Sequence, residues 1–162
     1  MSTLSEHNKD HGPVGLLAGS GRFPICFARG ARRHGISVVA IALKGEASAE
    51  LEKHVDEIHW TGIARLGKWI KIFKKAGVEH AVMCGGVTKS KMYPNIMRLL
   101  PDLRSARVWY RNRGSRQDHA LLASVAEEFE KEGITIESSV LYCPELLVSP
   151  GQVTEKEPDE NE

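Results

Sequence analysis

The run Ile36–Leu43, ISVVAIAL, constrains this chain more than any other stretch. It is apolar and rich in β-branched residues, and only Ser37 interrupts it. No alternation marks a solvent-facing side, so it reads as a strand covered on both faces, as strands of parallel sheets are. Val14–Ala18 is a second short apolar run, and it stops at Gly19. Phe23–His34 is the predicted helix between the two. Pro24 suits a first helical turn, where a missing N–H has no partner to lose, and Gly35 is a stop signal.

The pattern recurs downstream. Val55–Trp60 is a weaker third strand. Ile63–Ala76 is predicted helical, because Leu66, Ile70 and Phe73 recur at helical spacing among lysines, and Gly77 closes it. Val78–Cys84 is a fourth strand running into Gly85-Gly86. Tyr93–Leu100 and Asp102–Tyr110 are expected as helices parted by Pro101. Asp118–Glu132 is a helix with a core stripe of Leu121, Leu122, Val125, Ala126 and Phe129, and Ile134–Val140 is a fifth strand. Strands alternating with helices imply right-handed βαβ crossovers, hence an α/β domain with a mainly parallel sheet of about five strands.

A chain of 162 residues fits one domain, and 41% apolar with 27% charged residues fits a globular one. The polar stretch 1–12 is expected as a disordered leader, 13–148 as the domain, and the Glu-rich 149–162 as an acidic tail or truncated linker. A net charge of +1 argues against a broad nucleic-acid or membrane binder. Cys26, Cys84 and Cys143 lack C-x-x-C spacing, so free thiols in a reducing, cytoplasmic setting are expected. No apolar run approaches the length of a transmembrane span.

Sheets of this kind bind ligands at the carboxyl ends of their strands. That directs attention to Gly19–Phe23, Lys44–Glu46, Thr61–Arg65, Gly85–Lys91 and the turn before Asp118. Gly19-Ser20-Gly21, entering a helix, offers backbone N–H groups at the positive end of the helix dipole. Only half of the dinucleotide fingerprint is present. Its third glycine falls on Pro24, and Lys44 rather than an acid ends the second strand, so a standard NAD site is not expected. A phosphate or sugar contact and a plain structural corner both fit. After Gly85-Gly86, the residues Thr88, Lys89 and Lys91 suit either a diphosphate seat or a polar loop. Arg104, Arg107 and Arg111 share one helical face, with Arg113 and Arg116 beyond and Trp109 and Tyr110 interleaved. A solvated basic face is the expectation there, ahead of an anion or RNA contact. Asp118 suits a helix cap and His119 a surface position. The histidines show no ligand spacing, and neither a nucleophile elbow nor H-E-x-x-H occurs.

Taken together, GLLAGSGRFPICFARGARRHG, IARLGKWIKIFKKAGVEHAVMCGGV, QDHALLASVAEEFEKEGITI and CPELLVSPGQVT resemble the LpxI-type UDP-2,3-diacylglucosamine pyrophosphatases, over about Val14 to Pro158. The resemblance is to their N-terminal domain, and it implies a Rossmann-like three-layer fold. It further implies a magnesium-dependent hydrolysis in lipid A synthesis that yields UMP and 2,3-diacylglucosamine 1-phosphate (lipid X). The chemistry is then assigned to a C-terminal domain that this chain does not match, and no catalytic residue is expected here. The implied substrate-binding residues are Gly19, Ser20, Gly21, Phe23, Pro24, Gly85, Gly86, Val87 and Asp118. Gln117, His119, Ala64 and Arg65 depart from the family pattern. Magnesium belongs by resemblance to the complete enzyme, with its ligands unknown and none expected on this domain alone. The implied partners are UDP-diacylglucosamine or lipid X and a catalytic domain, either on a separate chain or on a longer form of this one; the resemblance leaves the two open. No nucleic acid is expected, and peripheral membrane contact stays open. The alternative is a non-catalytic nucleotide- or sugar-phosphate-binding module.

Overall fold

A computed structural model of the chain describes residues 12–87, 101–112 and 118–142. Strands β1 (Val14–Ala18), β2 (Val38–Leu43), β3 (Glu57–Thr61), β4 (His80–Cys84) and β5 (Thr135–Glu137) form one sheet. Their order is β3-β2-β1-β4-β5, and every pairing is parallel. This is the strand order of the doubly wound dinucleotide-binding folds, with its switch point between β1 and β4.

Helix α1 (Phe23–Arg33) and a 3₁₀ turn at Ala49–Lys53 cover one face, burying Phe27, Ala28, Ala31 and Leu51. Helices α2 (Leu66–Lys75), α3 (Leu103–Arg111) and α4 (Asp118–Glu130) cover the other, burying Trp69, Ile70, Phe73, Val108 and Phe129. Burial on both sides explains the unpatterned apolar runs. Along β1 and β2 every residue is buried, with Leu16, Val38 and Ala40 in the first core and Leu17, Val39 and Ile41 in the second. Gly15 lets the second layer sit close. A Cβ there would lie 2.8 Å from the Phe73 ring and 2.9 Å from the Ala81 methyl.

Most elements fall where the sequence predicts them, and their ends differ for local reasons. Helix α2 starts at Leu66 rather than Ile63. Strand β5 is short because Ser138 competes for the backbone: its Oγ accepts from the Val140 amide, and a 3₁₀ turn follows at Ser139–Leu141. That turn brings Tyr142 edge-on to Phe27, with ring centroids 5.9 Å apart. The helix expected at 93–100, the stretches 1–11 and 149–162, and Cys143 lie outside the described residues. Among the described residues no helix is long and apolar enough to cross a membrane.

Candidate functional site

The switch point brings the two glycine loops face to face. The Gly19 amide donates to the Cys84 carbonyl at 2.8 Å, and the Ser20 amide to the Gly86 carbonyl at 2.7 Å. The Gly86 amide returns a bond to the Ser20 carbonyl at 3.1 Å, and Ser20 Oγ also donates to the Gly86 carbonyl, at 3.0 Å. The backbones are pressed together. A Cβ on Gly19 would sit 2.3 Å from the Gly86 oxygen, and one on Gly85 2.4 Å from the Ser20 oxygen and 3.1 Å from Pro24 Cγ. These glycines serve loop-to-loop packing, and the Ser20 and Gly86 amides are spent on it.

The amides of Gly21, Arg22 and Phe23 take no partner among the described residues, and no side chain caps α1. Gly21 has φ of +93°, and no atom of the described residues lies within 4 Å of where its Cβ would stand. Among the described residues the start of α1 is therefore uncapped.

Beside the zipped loops, between the sheet and α2, α3 and α4, lies an apolar cavity of about 350 Å³. Its floor is Met83, Leu17 and Leu43 from β4, β1 and β2. Its roof takes Leu66 and Trp69 from α2, Val108 from α3, and Leu121, Leu122 and Val125 from α4. Gly85, Gly86 and Val87 border it, as does Gly19. One carboxylate holds the roof in register. Asp102 Oδ1 accepts from the Ser105 amide at 2.8 Å, capping α3, while Oδ2 accepts from the Gly67 amide at 2.7 Å and the Lys68 amide at 3.3 Å, capping α2. Ser105 Oγ accepts from the Leu66 amide at 2.9 Å.

The arginine face is solvent-exposed, as expected, and it also carries ion pairs: the Arg104 side chain is 40% and the Arg111 side chain 47% exposed. Arg104 pairs with Glu132 and lies 3.7 Å from Glu128, and Arg111 pairs with Glu127 at 2.7 Å. Two of the three arginines thus tie α3 to α4 and to Glu132 just beyond its end. The Lys131 hydrogen bond and the nearby Arg104 and Arg111 charges hold the Glu128 carboxyl below its ordinary range, against the opposing effect of burial. Lys74 and then Arg104 do the same for Glu132. At the sheet edge, Tyr142 Oη donates to Glu137, whose Oε1 lies 2.8 Å from His80 Nδ1. Burial, then the Glu137 bond, pushes the Tyr142 hydroxyl pKa up.

Of the residues named from the sequence, Gly19, Ser20, Pro24, Gly85 and Gly86 meet at the switch point, and Val87 borders the cavity. Phe23 is 41% exposed at the start of α1. Asp118 opens α4, but its side chain lies outside the described residues, as do Thr88, Lys89, Lys91, Arg113, Arg116 and the His119 side chain. The Asp102 clamp was missed as a shared cap, although an Asp after Pro101 and before a helical pattern is an N-cap signal. The described residues do not fit a magnesium ion: no three His, Cys, Asp or Glu side chains among them are grouped to hold a metal.

An all-parallel sheet with helices on both faces, a switch point closed by two glycine loops and an apolar cavity beside them define a doubly wound type of α/β domain. The family model of the LpxI N-terminal domain matches residues 13–146, and the chain belongs to that family. A curated relative from Caulobacter vibrioides, UDP-2,3-diacylglucosamine pyrophosphatase LpxI, is 28% identical over 147 residues, covering 90% of this chain and 50% of its own length. The chain thus spans about half the length of that relative. Among solved structures, the biotin carboxylase subunit of pyruvate carboxylase is similar at 20% identity and a TM-score of 0.47, over 77% of this chain and 22% of that one. The UDP-glucose-4-epimerase of Stenotrophomonas maltophila is similar at 10% identity and a TM-score of 0.44, over 76% and 35%. Likenesses this weak carry no functional weight.

Proposed function

We propose that this domain binds the lipid substrate of a UDP-2,3-diacylglucosamine pyrophosphatase. The observation that carries the reading is the apolar cavity bordering the zipped loops Gly19–Ser20 and Gly85–Gly86. A ligand suited to this place has an anionic head and an apolar tail. The amides of Gly21, Arg22 and Phe23 offer donors at the positive end of α1, and the cavity offers a dry seat for a chain. UDP-2,3-diacylglucosamine, the compound in the relative's name, has that build. In this reading Gly19, Ser20, Gly85 and Gly86 shape the wall, Gly21, Phe23, Pro24 and Val87 border the ligand, and Asp118, at the start of α4, is assigned to the substrate by the family resemblance alone.

Hydrolysis of the pyrophosphate bond, with water ending on the UMP or the lipid X phosphate, belongs to the whole protein. So do the magnesium requirement and the cytoplasmic location. The described residues group no three His, Cys, Asp or Glu side chains around a metal. Isothermal calorimetry tests the binding role. UDP-2,3-diacylglucosamine and lipid X should bind saturably, and UDP-N-acetylglucosamine, which lacks the long chains, much more weakly. Equal affinity for the unacylated nucleotide sugar would favour a plain nucleotide-sugar module instead.

A further inference from the structure

We infer that Trp69 closes the far end of the cavity and sets the length of the single acyl chain it accepts. This rests on the proposal that an acyl chain enters there. The cavity crosses the sheet rather than running along it. Met83 and Leu17 are register partners on β4 and β1, and Leu43 follows on β2. The next residue across is Thr61 of β3, the register partner of Leu43. Trp69 Nε1 donates to Thr61 Oγ1 at 2.7 Å, with Trp69 6% and Thr61 2% exposed. The indole is therefore anchored to the edge strand at the β3 end of the cavity. At the β4 end the described border is open, since Val87 is 36% and Leu122 53% exposed. A chain enters past Val87 and Leu122 and stops at Trp69.

Size supports one chain rather than two. An apolar cavity of about 150 Å³ takes a six-carbon ring. By the same scale 350 Å³ takes roughly 12–14 carbons. The wall is rigid because turning the indole away would strand its buried N–H and the buried Thr61 hydroxyl.

The test is calorimetry with alkyl phosphates of increasing chain length, below their aggregation concentrations, with UDP-2,3-diacylglucosamine titrated in parallel. Affinity should rise about fourfold per methylene, then stop rising at roughly 12–14 carbons. Trp69→Leu should move that break to longer chains. Thr61→Val, which removes the anchor but keeps the shape, should blur it. The wild-type series needs no variant to fold. A continued rise through the longest chains, no binding of any alkyl phosphate, or an unmoved break in folded Trp69→Leu would overturn the inference. A break with alkyl phosphates and no binding of the UDP lipid upholds the Trp69 assignment and defeats the proposed substrate. Binding of the UDP lipid without a break does the reverse.

Discussion

The Asp102 carboxylate lies 2.7 Å from the Gly67 amide and, through its other oxygen, 2.8 Å from the Ser105 amide, so one side chain caps two helices. Gly67 leaves room for it, since a Cβ there would stand 3.1 Å from Asp102 Oδ2. Each cap contributes about 1 kcal/mol. Asp102→Ala should therefore lose roughly 2 kcal/mol in urea unfolding, and Asp102→Asn about half of that. A loss below about 0.5 kcal/mol, the ordinary scatter of surface substitutions, would mean the double cap is not formed in solution.

The loop zipper makes a graded prediction. Ser20→Ala removes one exposed hydrogen bond and should cost about 1 kcal/mol or less. Gly85→Ala meets both φ of +86° and the Ser20 carbonyl at 2.4 Å, and should cost more, about 2–3 kcal/mol. Amide exchange at Ser20 and Gly86, slow in the wild type, should be fast in Gly85→Ala. Equal thermal stability of the two variants would contradict the packing account.

Acid should loosen the contact between α3 and α4. Glu128 and Glu132 have folded pKa values below the ordinary 4.5. Their ion pairs are fully present above that value, and their contribution is lost as pH falls through the lower folded pKa. Unfolding free energy should therefore drop below about pH 4.5, and Glu128→Gln should reduce that slope. A pH dependence identical in wild type and variant would remove Glu128 from the account.

The opposite sign applies to Tyr142. Its folded pKa is raised above 10.0, so the neutral hydroxyl is favoured in the folded state. Stability from this group is complete below pH 10 and declines above it, as the unfolded chain gives up the proton first. Tyr142→Phe should lose the Glu137 bond at neutral pH and the alkaline decline with it. Chemical denaturation between pH 8 and 11 reads both effects.

The sheet was legible because two-sided burial leaves a mark in composition: Val14–Ala18 and Ile36–Leu43 have no polar face to hide. The glycine loops were legible as a place but not as a mechanism. A sequence cannot tell a glycine that admits a phosphate from one that admits another backbone, and Gly19 and Gly85 are of the second kind. The arginine stripe was visible at helical spacing, yet its partners Glu127, Glu128 and Glu132 are far along the chain. The cavity was not legible at all. It arises where α2, α3 and α4 stand off the sheet, and Leu66, Trp69 and Leu121 look like ordinary core residues in sequence.

Titration of the protein with UDP-2,3-diacylglucosamine, in wild type and in Leu122→Asp, tests the central claim most directly. Leu122 is 53% exposed at the cavity border, so a charge there leaves the fold intact. The account predicts saturable binding to the wild type and at least about tenfold weaker binding to the variant, the effect of charging an apolar border. No binding to the wild type, or the same affinity in both proteins, would contradict it.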